Sequence, residues 1–157
     1  MTMLIAIAAY AAAMILANLS VAAFGPWVSP INAFVLIGLD LALRDWLHVR
    51  LRVWQMGVLI AGTGALTYTL NPAAGMIAIA SSAAFTAAAV VDWATFARLR
   101  GSWMLRANGS NVAGAAVDSL VFPTLAFGAL MPQIVLAQFA AKVAGGAVWA
   151  WIIGRAK

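Results

Sequence analysis

The ionisable side chains that could do chemistry in this 157-residue chain are few, and several stand inside long apolar runs. Asp40, Asp118 and Lys142 each lie roughly ten to twelve residues into such a run, near the middle of a membrane if the run is a helix that rises about 1.5 Å per residue. Charged groups at that depth are costly and rarely face lipid. Two explanations stay open: a structural ion pair of Lys142 with Asp118 or Asp40, or a polar cavity that binds a substrate or carries protons.

Polar residues continue along helical faces around these positions, which favours the cavity. Spacings of three and four residues place them on common faces of their helices. The stripes are Asn111, Gly114, Asp118 and Phe122 in one run, Gln138 and Lys142 in the next, and Ser81, Phe85 and Asp92 in an earlier one. Asp40 and Arg44 form an i, i+4 pair that is either a local salt bridge or part of a coupling device.

The composition shows where these residues must be located. Apolar residues make up 66% of the chain and charged residues 8%, against about 45–50% and about 25% in soluble domains. These values exclude a water-soluble globular protein, a disordered chain and a disulfide-stapled secreted module. With no Cys and one His, we expect no metal site and no cofactor. No nucleophilic triad or phosphate-binding glycine loop can be built, so we also expect no enzyme activity.

Six segments are apolar and long enough to cross a bilayer as helices of about 20 residues. They cover approximately residues 3–24, 30–48, 53–70, 74–97, 107–130 and 132–153, and Gly and Pro residues mark the connectors between them. We predict an all-α integral membrane protein, a single domain over residues 1–157 that forms a bundle of six transmembrane helices. The many small residues allow close helix packing. The sequence leaves open whether the chain forms a homo-oligomer.

The distribution of charge and tryptophan predicts the orientation of this bundle. Apart from Lys142, the basic residues lie at or after the ends of spans two, four and six, whereas the other connectors carry none. They are Arg44, Arg50, Arg52, Arg98, Arg100, Arg106, Arg155 and Lys157. The positive-inside rule then places both termini in the cytoplasm. Most tryptophans stand near that same edge, as an interfacial belt would: Trp46, Trp54, Trp93, Trp103, Trp149 and Trp151. The basic connectors are too short to suggest nucleic-acid binding.

Several stretches resemble signatures of the VUT family of queuosine-precursor transporters. One runs from Ile77 to Phe85 and continues through Val91-Asp92-Trp93 and Leu99-Arg100. Another comprises Arg106, residues 110–115, residues 117–122 and residues 125–128, and Gln138 with Lys142 resembles the closing motif. Asn18-Leu19 and the Asp40/Arg44 turn fit more loosely. The resemblance implies six membrane helices and import of 7-cyano-7-deazaguanine (preQ0).

The resemblance also implies a set of substrate-binding residues. A deazaguanine presents adjacent N–H donors, a carbonyl acceptor and a flat aromatic face, which suit a carboxylate, amides and aromatic rings. The candidates are Asn18, Phe85, Asp92, Asn111, Asp118, Phe122, Gln138 and Lys142, with Asp40 and Arg44 as a coupling or structural ion pair. Lys142 would hold Asp118 ionised or donate to the carbonyl.

We therefore expect an importer of a queuosine precursor for tRNA modification, located in the bacterial inner membrane, with a small purine-like substrate and the lipid bilayer as its partners. Facilitated transport, proton coupling and energisation by a separate ATPase all stay open. One alternative is a substrate-binding membrane component of an ATPase-driven vitamin or base uptake system. The other is a non-transporting structural membrane protein.

Overall fold

The helices predicted from the apolar runs are present throughout the described part of the chain. The computed structural model describes residues 2–48 and 50–155, and every regular element in those ranges is helical. The main helices are α1 (Met3–Phe24), α2 (Ser29–Asn32, a π-helical turn at Ala33–Ile37, and Gly38–His48), α3 (Val53–Leu70), α4 (Gly75–Arg98), α5 (Trp103–Phe127) and α6 (Pro132–Arg155). The prediction of an all-α fold is confirmed.

Five of the six predicted spans are confirmed as helices with the length and apolarity to cross a membrane. They are Met3–Phe24, Pro26–Arg44, Pro72–Arg98, Asn108–Phe127 and Pro132–Ile153. The remaining segment, α3, is a helix of 18 residues, which is about 27 Å long against a hydrocarbon core of about 30 Å. This helix is less apolar than the other five, because it contains Gln55 and several threonines, among them Thr63 and Thr67. Its role as a sixth span stays a prediction.

The outer surface of the helices is strongly apolar, as a lipid-facing surface must be. Large side chains such as Leu136, Ile79 and Leu4 are more than half exposed. Trp54, Trp93 and Trp151 of the predicted belt are exposed as well. Lys157 and the side chains of Trp103 and Arg155 lie outside the described part of the chain. The predicted orientation of the termini rests on the sequence alone.

Helices α4 and α5 pack against each other along most of their length, and a short connector fixes how they meet. Ser102 begins α5, with its hydroxyl accepting a hydrogen bond from the Leu105 amide at 3.3 Å. Arg106 then reaches back across the connector. Its Nε and Nη2 atoms donate to the Phe96 carbonyl at 3.1 and 3.0 Å, and its guanidinium lies 4.1 Å from the centre of the Phe96 ring. Arg106 thus ties the end of α4 to the start of α5.

Helices α2 and α6 cross in backbone contact at glycine residues. A Cβ atom added to Gly38 would lie 2.6 Å from the carbonyl carbon of Gly145. A Cβ atom added to Gly145 would collide with the carbonyl oxygen of Phe34, which belongs to the π-helical turn. No side chain fits between these two backbones, so the crossing requires glycine at both positions.

The crossing predicts a large difference between two Gly→Ala substitutions. We expect Gly145→Ala to lower the free energy of unfolding by about 1–3 kcal/mol, because the methyl group forces the two backbones apart. Gly57→Ala in α3 is the matched control, since an added Cβ atom there meets nothing within 4 Å. Thermal unfolding of both variants in the same detergent provides the measurement. Equal unfolding temperatures would contradict the close crossing.

Candidate functional site

A narrow polar cavity lies where α1, α2, α4, α5 and α6 approach one another. Most of the residues that line it are buried. The centre of a water molecule can occupy a volume of about 20 Å³ in this cavity. That volume is sufficient for about one water molecule. The lining residues are Ala17, Asn18, Val21, Ser29, Asn32, Ala33, Ile37, Ser81, Phe85, Asp118, Phe122, Gln138 and Lys142.

The strongest polar contact in this cavity is an ion pair between α5 and α6. The Nζ atom of Lys142 lies 2.8 Å from an oxygen of Asp118, and both side chains are almost completely buried. Nζ also donates to the Gln138 Oε1 atom at 2.8 Å and to the Ser119 hydroxyl at 3.2 Å. An ammonium group has three donors, so these partners account for all of them. The ion pair expected from the sequence is thus Lys142 with Asp118.

The polar contacts continue from Gln138 to the start of α2. The Gln138 Nε2 atom donates to the Ser29 hydroxyl at 2.9 Å, and that hydroxyl donates to the Pro26 carbonyl at 2.6 Å. Both side chains are buried. One continuous chain of contacts therefore joins α5, α6 and the N-terminal turn of α2 around the cavity.

Two asparagine side chains form the α1 and α2 sides of the cavity, and their hydrogen bonding differs. The Asn32 Nδ2 atom donates to the Ala17 carbonyl at 3.2 Å and to the Ser20 hydroxyl at 2.7 Å. Asn18 is 2% exposed, and its Nδ2 atom has no hydrogen-bond partner in the described structure. A buried amide group without a partner costs about 1–3 kcal/mol, so Asn18 is a donor that a bound molecule can satisfy.

Two aromatic rings complete the wall. Phe85 on α4 is buried, and the Arg44 guanidinium lies 5.9 Å from its ring centre. Phe122 on α5 packs edge-to-face against Phe127 with ring centroids 6.1 Å apart. The cavity therefore combines hydrogen-bonding groups with two flat apolar faces, which is the usual composition of a small-molecule site.

Two irregularities in the helices lie next to this cavity. The π-helical turn contributes Ala33 and Ile37 to its wall. Pro123, directly after Phe122, lies inside α5 and removes the helical hydrogen bond to the carbonyl of Ser119. Irregular backbone at membrane depth is tolerated only where protein or a cavity surrounds it, and transporters place such breaks at their binding sites.

The structure brings together six of the eight sequence-predicted binding residues. Asn18, Phe85, Asp118, Phe122, Gln138 and Lys142 all line the cavity. The other two do not: Asn111 lines a neighbouring groove, and Asp92 packs near Gly114, with its Oδ1 atom buried and without a hydrogen bond in the described structure. A role in binding stays a prediction for all eight.

The Asp40/Arg44 pair lies outside the cavity and within the core. Asp40 is fully buried and Arg44 is 5% exposed. Both have further interactions within the structure, and Arg44 supports the cavity wall through Phe85. The choice between coupling and a purely structural pair stays open for these two residues.

Ser29 and Asn32 line the cavity but were not predicted from the sequence. Ser29 lies next to Pro30 in what reads as a connector, and Asn32 stands only two residues inside the predicted span. The π-helical turn that follows them has no signature in the sequence. The signal that could have identified them is a pair of polar residues directly before an apolar run.

The ion pair predicts how substitutions of its members affect stability. Lys142→Met leaves the Asp118 carboxylate without its partner, so we expect a loss of about 3–5 kcal/mol in the free energy of unfolding. Adding Asp118→Asn removes the uncompensated charge and should recover most of that loss. Gln133→Met, at an exposed position of the same helix, serves as the control and should change stability by less than about 0.5 kcal/mol. Denaturant unfolding in detergent measures all three, and a double variant that is no more stable than Lys142→Met would argue against the pair.

The comparisons with known proteins agree with this picture of a membrane transporter. No curated protein and no solved structure matches the chain. A family model described as "Putative vitamin uptake transporter" matches residues 1–156. This confirms the resemblance to the VUT family, and it agrees with the expectation that the chain is not an enzyme. The chain therefore belongs to the vitamin uptake transporter family and is a multi-pass membrane protein.

Proposed function

We propose that the chain imports a queuosine precursor, 7-cyano-7-deazaguanine, across the bacterial inner membrane for use in tRNA modification. The observation that carries the proposal is the buried cavity, in which a carboxylate, an ammonium group, amides and two aromatic rings converge within a member of a vitamin uptake family. The predicted orientation, with both termini in the cytoplasm, belongs to the same proposal.

The chemistry of the base suits the groups around the cavity. Asp118 accepts the adjacent N–H donors of the base, and the unpartnered Asn18 amide donates to its carbonyl. Phe85 and Phe122 offer faces for stacking. Asn111 and Asp92 lie outside the cavity, so a contact of either residue with the substrate belongs to another step of the transport cycle.

The size of the cavity indicates that the described conformation is closed. A space for about one water molecule cannot contain a purine-like base. Binding therefore requires the helices to separate, first towards one face of the membrane and then towards the other, as in alternating access. Energy comes from the substrate gradient, from protons taken up by a buried acid, or from a partner ATPase.

The formation of queuosine in tRNA tests import directly. The chain is expressed in a bacterium that can neither make preQ0 nor import it, low external preQ0 is supplied, and queuosine-bearing tRNA is separated on a boronate gel. We expect a shifted tRNA band. Asp118→Asn should reduce it by about 10- to 100-fold, since a hydrogen bond to a charged group contributes about 1.5–3 kcal/mol. Gln133→Ala, at an exposed position of α6, is the control, and membrane levels are matched by immunoblot.

An unshifted band from membrane-inserted protein would contradict import by the chain alone. Binding of preQ0 to the purified protein then distinguishes the remaining cases. Tight binding without uptake would identify a component that needs an ATPase partner, whereas no binding would exclude preQ0 as the substrate.

Asn18 provides a second test, because its roles in stability and in binding have opposite signs. Asn18→Leu removes a buried amide nitrogen that has no hydrogen-bond partner in the described structure, so the free energy of unfolding should rise by up to about 1–3 kcal/mol. The same change removes a donor to the substrate, so the affinity for preQ0 should fall by about 5- to 100-fold. Thermal unfolding and equilibrium binding on one preparation give both values. Unchanged affinity would remove Asn18 from the site.

A further inference from the structure

A second and larger space lies beside the polar cavity, between α2, α5 and α6. We call it the lateral groove; it is formed by residues 41–42 of α2, 108–115 of α5 and 142–150 of α6. Its volume is about 270 Å³. Small residues such as Ala115 and Gly146 keep it wide, and Asn108 and Asn111 add amide groups to an otherwise apolar wall.

The groove runs from the level of Lys142, midway along α6, towards one end of the bundle, and it opens at the outer surface, where Val112 and Val143 are exposed. From Lys142 to Ala150 along α6 the distance is about 12 Å, and from Ala115 to Asn108 along α5 it is about 10 Å. Asn108 lies near the start of α5, beside the basic connector with Arg98, Arg100 and Arg106. In the predicted orientation this is the cytoplasmic end.

Lys142 is the only described residue that lines both the polar cavity and the lateral groove. Its ammonium group is held on the cavity side by Asp118, Ser119 and Gln138. Since the group lies on the cavity side while the residue also borders the groove, the Lys142 side chain forms the partition between the two spaces. It can leave that position only if Asp118 and Gln138 find other partners.

A substrate in the cavity can supply one such partner. A ligand with two adjacent N–H donors satisfies the Asp118 carboxylate and competes with Lys142 for it. Binding of the ligand therefore weakens the contact that keeps Lys142 in place. Taking the polar edge of a ligand out of water costs free energy unless its hydrogen bonds are replaced. Only a ligand with matching donors recovers that cost at Asp118, which links substrate recognition to opening.

We propose that the lateral groove is the passage and a transient binding station for the transported substrate, a small flat molecule with a hydrogen-bonding edge, and that Lys142 is the gate between the groove and the polar cavity. This inference rests on the proposed transport function, although it does not depend on which base is carried. The Asn108 amide is the groove's hydrogen-bonding group for that molecule.

The absence of cysteine from the chain makes a thiol-labelling test free of background. Ser81→Cys places a thiol in the polar cavity and Ala147→Cys places one in the groove. A positively charged methanethiosulfonate reagent that cannot cross the membrane is applied to inside-out vesicles and to whole cells. Because a thiol surrounded by lipid stays protonated and does not react, labelling also shows whether the groove contains water.

The gate is tested by comparing Lys142→Ala with Lys142→Met in the Ser81→Cys background. Both changes leave Asp118 without its ion-pair partner, but only alanine removes the side chain that fills the partition. We expect Ala147→Cys to react from the cytoplasmic face, and Ser81→Cys to be protected with Lys142 intact. Its labelling rate from that face should be severalfold higher with Lys142→Ala than with Lys142→Met.

Three results would overturn the proposal. The first is an Ala147→Cys thiol that reacts from neither face, and the second is a Ser81→Cys thiol that reacts from the cytoplasmic face with Lys142 intact. The third is equal Ser81→Cys labelling rates from the cytoplasmic face in the two Lys142 variants. If size-exclusion chromatography shows that either variant aggregates, Asp118→Asn is added to both, which removes the uncompensated charge and preserves the comparison. Labelling as expected without preQ0 uptake would support the gate and reject only import of preQ0 by the chain alone. Uptake with a failed labelling pattern would reject only the gate.

Discussion

The contact between Asp118 and Lys142 is the constraint on which the arrangement of three helices depends. Each charge alone would be very costly in apolar surroundings, and their attraction compensates only if the geometry is close and the remaining donors are satisfied. Ser119 and Gln138 supply those acceptors, so the register between α5 and α6 is fixed to within a hydrogen-bond length. Through Gln138 the same requirement reaches Ser29 and the beginning of α2.

A second constraint, steric rather than electrostatic, determines how α2 can meet these groups. The contact of Gly145 with Phe34, and of Gly38 with Gly145, brings two backbones together without intervening side chains. The π-helical turn lies at this crossing, between Asn32 and Asp40. It alters the helical phase between them, so that Asn32 lines the cavity while Asp40 is buried elsewhere in the core.

The helices and many residues of the candidate site could be predicted from the sequence. The physical reasons differ between the two. Apolar runs report helices directly, because the bilayer requires both length and apolarity. Depth placed Lys142 level with both Asp118 and Asp40, and a charge at that level has few ways to be compensated, but depth alone did not decide between the two partners. Asn111 and Asp118 share a helical face by spacing, yet they line different spaces. Lys142, a residue from another helix, lines both spaces, which no single-helix periodicity can show.

What the sequence could not show was set by backbone geometry. Ser29 and Asn32 belong to the cavity because a π-helical turn and a glycine crossing position them, and neither feature follows from residue type. The composition of α3 leaves its role as a sixth span a prediction, since threonine and glycine lower the apolarity of its sequence. Whether it crosses the membrane depends on its neighbours as much as on its own composition.

The small size of the cavity has a consequence for the cell's energy supply. A file of hydrogen-bonded waters through a membrane protein conducts protons, and buried acids can extend such a file. The space beside Asp118 accommodates about one water molecule in the described conformation, which is too few to form one there. A carrier at rest in this state would keep the membrane's proton gradient insulated, even with ionisable groups at its centre.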